Sequence, residues 1–339
     1  MKKLISLICV LAMVLALAAC GSSAPAAATE APAASTEAPA EDVSADKTFV
    51  VGICQLVQHP ALDAATQGFK DALPEALGDK VTFQEQNASG DSATCSLICN
   101  QFVSDEVDLI MANATASIQA AASATNTIPI LGTSITDYGV ALGVDNWTGV
   151  SGTNISGTSD LAPLDGQAAM IQELFPDAKT IGLLYCSGEP NSIFQADSME
   201  ALLTDMGYSV ERYTFADSND VSSVTANACS NSDVLYIPTD NTAASCTEAI
   251  NNVALSAGIP IVAGEEGIAS GCGAATLSIS YYDLGRATGE MAARSSPRAQ
   301  TSPPWKSASL PHSPRNTTQT SARLSTSPFP KTTLQLQNN

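Results

Sequence analysis

The sequence predicts an α/β protein of two lobes, each built around a parallel β-sheet, with hinge crossovers between them. The first observation is alternation: from residue 47 onward, short apolar runs typical of buried strands alternate with segments of helical period. The second is repetition, because residues 179–185 repeat the pattern of residues 47–53 about 130 positions later. The third is length, because a chain of 339 residues has room for two domains of about 100 to 200 residues each. Two similar lobes therefore enclose a cleft.

The first ladder of strands and helices, residues 47–162, forms a Rossmann-like N-terminal lobe. Each apolar run is followed by a helical segment, and this alternation gives parallel strands with right-handed crossovers. Residues 154–160 then carry the chain towards the other lobe. The predicted strands are residues 48–54, 81–86, 107–112 and 128–131, and the predicted helices are residues 63–73, 92–103 and 117–124.

The second ladder, residues 163–280, forms a Rossmann-like C-terminal lobe. A helix over residues 162–175 leads into it, and a helix over residues 282–293 should return to the first lobe. The chain therefore crosses between the lobes more than once. The predicted strands are residues 180–185, 259–262 and 275–279, with two more at Val210 and Val234, and the predicted helices are residues 192–206 and 242–257.

Residues 1–20 have the features of a lipoprotein signal peptide. Lys2 and Lys3 precede an apolar stretch that is shorter than the roughly 20 residues of a membrane span. The small residues that lead to Cys20 resemble a bacterial lipobox, which implies cleavage before Cys20 and a lipid on its thiol. An ordinary secretory signal with an incidental cysteine is the alternative. Residues 21–46 are rich in Ala, Ser, Thr, Pro and Glu and are expected to form a disordered tether.

The charge and composition exclude some classes of partner. A formal charge of −20 and a pI near 4.2 repel the phosphate backbone, so we expect no nucleic-acid binding. Hydrophobic residues make up 45% of the chain, which is enough for two cores.

The cysteines indicate neither a disulfide framework nor a metal site. Between the tether and residue 293 their number is odd, which argues against a complete set of bridges. We expect mostly buried free thiols, and one or two bridges formed outside the cell are the alternative. Cys95 and Cys99 have helical i, i+4 spacing, but no second Cys or His pair completes a zinc site. No metal and no cofactor is predicted.

The loops that follow the predicted strands are the expected place of a ligand. In open parallel sheets, ligands bind beyond the carboxyl ends of the strands. All of these loops are short, polar and made of small residues. They are residues 55–60, 113–115, 132–137, 186–192, 239–242 and 263–266.

Several of these loops carry motifs that occur in a fixed order over residues 47–293. They are HPALD at residues 59–63, ATA at 114–116, TD at 136–137, NISGTSD at 154–160, GEPNS at 188–192, PTDNT at 238–242 and YYDLG at 281–285. In these motifs the chain resembles substrate-binding lipoproteins of ABC transporters in the periplasmic binding protein type I class, specifically the tryptophan and tyrosine receptors. The resemblance implies that two lobes close on a small solute and that the closed form docks on a membrane permease. It further implies an extracytoplasmic monomer, attached to the cell membrane through Cys20.

The resemblance ends near residue 293. No acidic residue follows Glu290, whereas Pro, Lys and Arg are frequent there. Members of the resembled family continue instead with an acidic helical extension and a segment that completes the second lobe. Residues 294–339 are therefore interpreted as an aberrant, disordered tail that arose through a frameshift or a sequencing error.

A zwitterionic amino acid needs an acceptor for its ammonium group and donors for its carboxylate. No arginine lies in a strand-end loop, so helix N-termini must supply the donors for the carboxylate. Asn191, Ser192 and Asn241 stand where their side chains add further donors. Asp137 and Asp240 are the natural acceptors for the ammonium group. As alternatives, the Asn, Ser and Asp240 side chains could only cap the following helices, and Asp137 could form a turn.

Four further residues complete the predicted ligand-binding set. Thr115 and Thr133 are either hydroxyl donors to the ligand or partners of the local backbone. Glu265 follows a strand of the second lobe. His59 is the only histidine of the folded region, and it either shapes the loop before Pro60 or contacts the ligand.

Three other residues have open interpretations. Asp160 is interpreted as a helix cap. Trp147 and Phe194 either stack on an aromatic ligand or pack at the lobe edges. Aromatic amino acids are the first expectation for the ligand, but an aromatic content of 5% is also compatible with a smaller amino acid or another polar solute.

Other classes of function are less compatible with the sequence. A hydrolase needs a base near its nucleophile, and no Ser, His and acid set or nucleotide-binding glycine motif stands out, so no enzyme is predicted. A receptor that reports the solute to a membrane signalling partner would use the same cleft and closure, and it stays open as an alternative. A DNA-binding repressor is excluded because the chain starts with a lipid signal instead of a helix-turn-helix.

Overall fold

The computed structural model describes residues 48–295 and the backbone of residues 321–324. The predicted signal peptide with Cys20, the predicted tether and most of the predicted tail lie outside the described residues. Within the described part, no helix is both long and apolar enough to cross a membrane.

The N-terminal lobe is built on a sheet of five parallel strands, as the alternation in the sequence predicts. The strands are β1 (Phe49–Gln55), β2 (Val81–Asn87), β3 (Leu109–Asn113), β4 (Ile130–Ile135) and β5 (Ile155–Ser159). Their order is β2-β1-β3-β4-β5. The helices are α1 (Pro60–Leu77), α2 (Ser92–Ser104), α3 (Thr115–Ala124) and α4 (Tyr138–Leu142), and a short 3₁₀ turn, Gly78–Lys80, follows α1.

The C-terminal lobe repeats this plan with five parallel strands and one antiparallel edge strand. Its strands are β6 (Thr180–Cys186), β7 (Ser209–Phe215), β8 (Val234–Ile237), β9 (Ile261–Ala263), β10 (Ala275–Ser278) and β11 (Ser321–Leu324), in the order β11-β10-β9-β8-β6-β7. Its helices are α5 (Leu164–Leu174), α6 (Pro190–Asp205), α7 (Val221–Asn231), α8 (Asn241–Ser245), α9 (Thr247–Ala257) and α10 (Glu266–Cys272). The last helix, α11 (Tyr281–Ser295), packs on α1 of the N-terminal lobe.

The strand β11 lies within the segment that the sequence analysis interprets as a disordered tail. It pairs antiparallel with β10, from Ala275 opposite Leu324 to Ser278 opposite Ser321. The prediction of disorder therefore does not hold for these four residues. Short Ser- and Thr-rich segments carry little periodicity, but the free edge of β10 offers the backbone hydrogen bonds that such a segment needs.

Four further elements differ from the prediction. Residues 154–160, predicted as a crossover, contain the strand β5, whose Ile155 lies opposite Ile130 of β4. One apolar residue followed by Ser-Gly-Thr-Ser has no strand pattern of its own, so pairing with β4 decides the conformation. The helices α4, α7 and α10 were not predicted because they are short or rich in Ser, Thr, Asn and Gly, which have low helix propensity.

The core of each lobe lies between its sheet and the helices on both faces. On one face of the first sheet, Phe69 and Leu73 of α1 pack against Val51, Met111 and Leu131. Their i, i+4 spacing places both side chains on the same side of the helix. Full burial of such a side chain stabilises the fold by about 1.5 to 3 kcal/mol. The predicted alternation of strand and helix thus corresponds to a packed core.

Glycines allow α11 to approach α1 at backbone distance. A Cβ atom at Gly285 would overlap the carbonyl oxygen of Ala65, and one at Gly68 would overlap the carbonyl oxygen of Tyr282. At Gly289 an added Cβ would lie 2.8 Å from the carbonyl oxygen of Phe69. A side chain at these positions would push the two helices apart.

The cysteines of residues 48–295 are free, and most of them are buried, as expected. Cys54 and Cys95 lie near the hydroxyl oxygen of Ser117, at 3.7 and 3.6 Å. Burial raises the pKa of the Cys229 thiol. These thiols belong to the cores of the lobes.

Candidate functional site

The carboxyl ends of the strands in the two lobes face one another across a cavity. Within it and at its open mouth about 280 Å³ is not occupied by protein atoms, but the centre of a water molecule has only about 10 Å³ of room there. Side chains from both lobes line it, and most of them are polar. They are His59, Leu62, Ser134, Thr136, Asp160, Asn191, Thr239, Asp240, Asn241, Ala244, Glu265 and Tyr281.

The structure brings five of the predicted ligand-binding residues together at this cavity. His59 comes from the N-terminal lobe, at the residue before α1. The other four, Asn191, Asp240, Asn241 and Glu265, come from the C-terminal lobe. They stand at the starts of α6, α8 and α10, in the loops after the strands, where ligands bind in open parallel sheets.

The other four predicted residues do not line the cavity. Thr115 is buried at the start of α3, and Thr133 is buried in β4, 3.5 Å from the Thr158 hydroxyl. Asp137 caps α4, with its Oδ1 atom accepting a hydrogen bond from Val140 N–H at 2.8 Å. Ser192 is buried behind the cavity, and its hydroxyl is 3.4 Å from the carbonyl oxygen of Thr239. Asp137 thus has a local role as a helix cap, which differs from the turn that the sequence offered as its alternative.

His59 connects the two lobes directly. Its Nε2 atom lies 3.3 Å from Oδ1 of Asn241, in the C-terminal lobe. The amide nitrogen of Asn241 donates to Glu189, so its oxygen faces His59 and Nε2 carries the proton. In the neutral ring, Nδ1 is then an acceptor, and this buried atom has no hydrogen-bond partner within the described part of the chain. Burial lowers the pKa of His59, which favours the neutral ring.

The carboxylate of Glu189 occupies the N-terminus of α8. One carboxylate oxygen accepts from the N–H and the hydroxyl of Thr242, both at 2.8 Å. The other accepts from the N–H of Asn241 at 3.0 Å and from its side-chain amide at 2.7 Å. A helix N-terminus favours a negative charge, and here the protein itself provides it.

Three buried carboxyl groups line the cavity: Asp160, Asp240 and Glu265. Asp160 accepts from the hydroxyl groups of Thr136, at 3.0 Å, and Tyr281, at 2.8 Å. Burial raises the pKa of Asp160 above its usual range. Without a cation among the lining residues, the cavity is suited to a ligand that carries positive charge.

Asp240 and Glu265 are both caps and cavity residues. Asp240 accepts from Ala243 N–H and from Cys186 N–H, each at 2.7 Å. Burial and the nearby Glu189 raise its pKa well above the usual range. Glu265 accepts from the N–H groups of Gly267 and Ile268, and burial raises its pKa to about 7. The alternatives of capping and ligand contact are therefore not exclusive for these residues.

The interpretation of Asp160 as a helix cap is wrong. The residue before α5 is Pro163, and Asp160 points into the cavity instead. Trp147 stacks on Tyr138, with ring centroids 6.3 Å apart, and neither ring lines the cavity. Phe194 lies in α6, outside the lining. The aromatic ring at the cavity is Tyr281.

Sequence reasoning missed Ser134, Thr136, Thr239 and Tyr281 as cavity residues. The first three lie in the predicted strand-end loops, one or two positions from residues that were chosen, so the loop was found but not the side chain. Tyr281 begins α11, far along the chain from the other lining residues. Only the YYDLG motif at residues 281–285 signalled it.

Within the described residues, no group of three or more His, Cys, Asp or Glu side chains could hold a metal ion.

Sequence comparison finds that residues 50–295 match the family described as ABC transporter substrate binding protein.

Three known proteins are similar to this chain. The curated tyrosine-binding protein of Clostridioides difficile is 40% identical over 245 residues, which cover 71% of each chain. A crystal structure from Streptococcus pneumoniae, an ABC domain in complex with L-Trp, has 31% identity and a TM-score of 0.73, covering 78% of this chain and 89% of that one. The ligand-free, open structure of a substrate binding protein with adhesive properties from Clostridium difficile has 39% identity and a TM-score of 0.55, covering 73% and 84%. The chain thus superposes better on the ligand complex than on the open structure, although it is less identical to the former.

Proposed function

The chain belongs to the family of ABC transporter substrate-binding proteins. We propose that it captures an amino acid in the cavity between its lobes, with an aromatic amino acid as the first candidate. The family is one of solute-binding proteins and not of enzymes. The cavity is the observation that carries the proposal, because polar side chains from both lobes converge there and three of them are carboxyl groups.

Two of the similar proteins are described with a ligand, and both ligands are aromatic amino acids. One is described as tyrosine-binding, and the other holds L-Trp. The cavity of this chain has the chemistry that the ammonium group of an amino acid requires. Asp160, Asp240 and Glu265 supply carboxyl oxygens, and Nδ1 of His59 supplies a further acceptor without a partner. Tyr281 offers an aromatic ring at the same cavity.

We assign the ligand contacts to the predicted residues that line the cavity: His59, Asn191, Asp240, Asn241 and Glu265. Thr115, Thr133, Asp137 and Ser192 support the loops around it. Closure of the lobes on the ligand would place it out of water, where hydrogen bonds to charged groups are strongest. The closed form would then be the form that a membrane permease recognises.

The proposed role requires a location outside the cytoplasm. The signal-like residues 1–20 and the tether-like residues 21–46 support export and attachment through a lipid on Cys20. A monomer at the end of such a tether reaches a permease in the same membrane.

A ligand panel tests the proposed function. The purified full chain is heated with L-tryptophan, L-tyrosine, L-leucine, a purine and a sugar, and calorimetric titration follows for each compound that raises the melting temperature. We expect the aromatic amino acids to give the largest shifts. A result in which no amino acid binds would contradict the proposal.

The matched variant for this panel is Asp240→Asn. Asparagine keeps an oxygen for the N–H of Ala243 and therefore the cap of α8, but its NH2 group faces the N–H of Cys186, to which the second carboxyl oxygen now binds. We expect the ligand-free variant to melt below the wild type and to bind the best amino acid about tenfold or more weakly. Unchanged affinity would exclude Asp240 as the ammonium partner.

A further inference from the structure

We propose that the N-terminal lobe binds the ligand's carboxylate, through the hydroxyl group of Ser134 and the N-terminus of α1, while the C-terminal lobe holds the ammonium group. The inference rests on the proposed function, because it assigns the two ends of an amino acid to the two lobes. The ligand then connects the lobes through its own charges.

The hydrogen-bond donors of the C-terminal lobe are already in use. The sequence predicts the carboxylate at the starts of α6 and α8, but Glu189 accepts from the N–H groups of Asn241 and Thr242. The side-chain amide of Asn191 donates to Glu189, to Ser192 and to the carbonyl oxygen of Thr239. A ligand carboxylate would meet the carboxyl groups of Glu189 and Asp240 there, whose oxygens already accept from the available N–H groups.

The N-terminal lobe offers the hydroxyl group of Ser134 as a donor. Its side chain is buried, with 6% of the residue exposed, and it lines the cavity. Within the described part of the chain its Oγ atom has no hydrogen-bond partner. The hydroxyl groups of Thr136 and Tyr281, by contrast, both donate to Asp160. A buried polar group without a partner is uncommon and indicates a missing partner such as a ligand.

The backbone at Ser134 supports a functional role. Its φ angle is 57°, in the left-handed region, where β4 departs from its register with β5 between Gly132 and Ile135. A serine in this region is strained relative to glycine. The chain nevertheless has a serine there, at the position where the cavity begins.

The N-terminus of α1 lies at the same cavity. The helix has 18 residues, begins at Pro60 and has Leu62 of its first turn at the cavity. The side chain of His59, at the cap position, makes no capping bond. Pro60 has no N–H and the N–H of Asp63 donates to His59, so the N–H groups of Ala61 and Leu62 are those of the first turn without a partner within the helix. Together with the helix dipole they favour an anion. Glu189 fills this role at α8, whereas at α1 the ligand carboxylate would fill it.

The test removes the two partners of this interaction separately. Ser134→Ala loses the hydroxyl group, and tyramine is tyrosine without the carboxylate. The control is Ser156→Ala, because Ser156 also has a buried Oγ atom without a described partner but lies in β5, outside the cavity lining. Binding of L-tyrosine and of tyramine is measured by calorimetric titration for the wild type and both variants.

We expect Ser134→Ala to bind L-tyrosine about 10- to 100-fold more weakly, as for a lost hydrogen bond to a charged group. The same variant should bind tyramine like the wild type, and Ser156→Ala should leave both affinities unchanged. If the wild type does not bind tyramine, L-tyrosine alone decides between Ser134→Ala and Ser156→Ala. An unchanged affinity of Ser134→Ala for L-tyrosine, or an equal loss for both ligands, would overturn the inference.

A glycine variant gives a second, independent readout. Ser134→Gly loses the hydroxyl group and relieves the strain at φ 57°. We expect it to melt above Ser134→Ala and to bind L-tyrosine as weakly as Ser134→Ala. Wild-type affinity in Ser134→Gly would refute the role of the hydroxyl group. If the wild type binds no amino acid at all, the proposed function itself fails. This outcome is distinguishable from a failure of the inference, in which the wild type still binds.

Discussion

The imidazole of His59 and the amide of Asn241 form a hydrogen bond between the two lobes, with Nε2 and Oδ1 3.3 Å apart. Asn241 is itself held by Glu189, whose carboxylate binds its N–H and its side-chain amide. The lobes therefore have a contact of their own at the cavity. A ligand adds its interactions to this contact instead of providing the whole of it.

Replacement of His59 by alanine should shift the ligand-free protein towards an open arrangement. The variant loses the bond to Asn241 and the free acceptor Nδ1, so we expect a larger radius of gyration by X-ray scattering and about tenfold weaker amino-acid binding. Asn154→Ala is the control, because the side-chain amide of Asn154 donates to the carbonyl oxygens of Thr125 and Ile128 in its own lobe. If both variants scatter alike, the bond between the lobes does not govern closure.

Replacement of Glu189 by glutamine should destabilise the C-terminal lobe. The carboxylate accepts four hydrogen bonds from Asn241 and Thr242, and an amide presents N–H groups where two of them need an acceptor. We expect a loss of about 1 to 3 kcal/mol in urea unfolding. Glu173→Gln changes an exposed side chain of α5 and should be neutral. Equal unfolding midpoints for the two variants would contradict this role of Glu189.

The stability of the ligand-free protein should fall as the pH rises from about 4.5 to 7. Burial raises the pKa of Glu265 from 4.5 to about 7, so the folded state holds a proton that the unfolded state has lost. Asp160 and Asp240 act in the same direction, whereas the lowered pKa of His59 acts in the opposite one. Urea unfolding at about pH 5 and about pH 7.5 measures the sum.

Glu265→Gln is the variant for this pH dependence. Glutamine keeps an oxygen for the N–H groups of α10 but has no proton to lose, so its stability should change less with pH than that of the wild type. A wild-type protein that becomes more stable over this range, or a variant with an unchanged slope, would contradict the prediction.

The architecture followed from the sequence because repeated apolar runs determine it. Buried strands such as β1 and β6 are recognisable by themselves, and the strand-end rule then found the right loops. Individual ligand residues were harder to predict, because a polar side chain in a loop has several partners to choose from. The side chain of Asp137 caps α4, whereas the side chain of Asp160, which was expected to be a cap, lines the cavity.

Tertiary contacts decide the features of the structure that the sequence pattern did not predict. Nothing local in residues 155–159 indicates a strand, and only the open edge of β4 makes them one. The strain at Ser134 and the occupation of α8 by Glu189 depend on distances between elements that a sequence pattern does not contain.

Substitution of Gly285 by alanine should destabilise the N-terminal lobe strongly. The added Cβ would overlap the carbonyl oxygen of Ala65, and neither backbone can move without separating α1 from α11. We expect a loss of at least about 2 kcal/mol in urea unfolding. Gly188→Ala is the control, since its nearest neighbour would be the Cys186 sulfur atom at 3.8 Å. Similar midpoints for both variants would show that the helices can adjust.

The packing of α11 on α1 also sets an order of events during synthesis. The lobe that leaves the ribosome first still lacks one of its helices until residue 295 has been made, because α11 comes from the far end of the folded region. The nascent N-terminal half therefore cannot complete its native structure by itself. For the export that we propose, this late completion would leave the chain more time to cross the membrane before it folds.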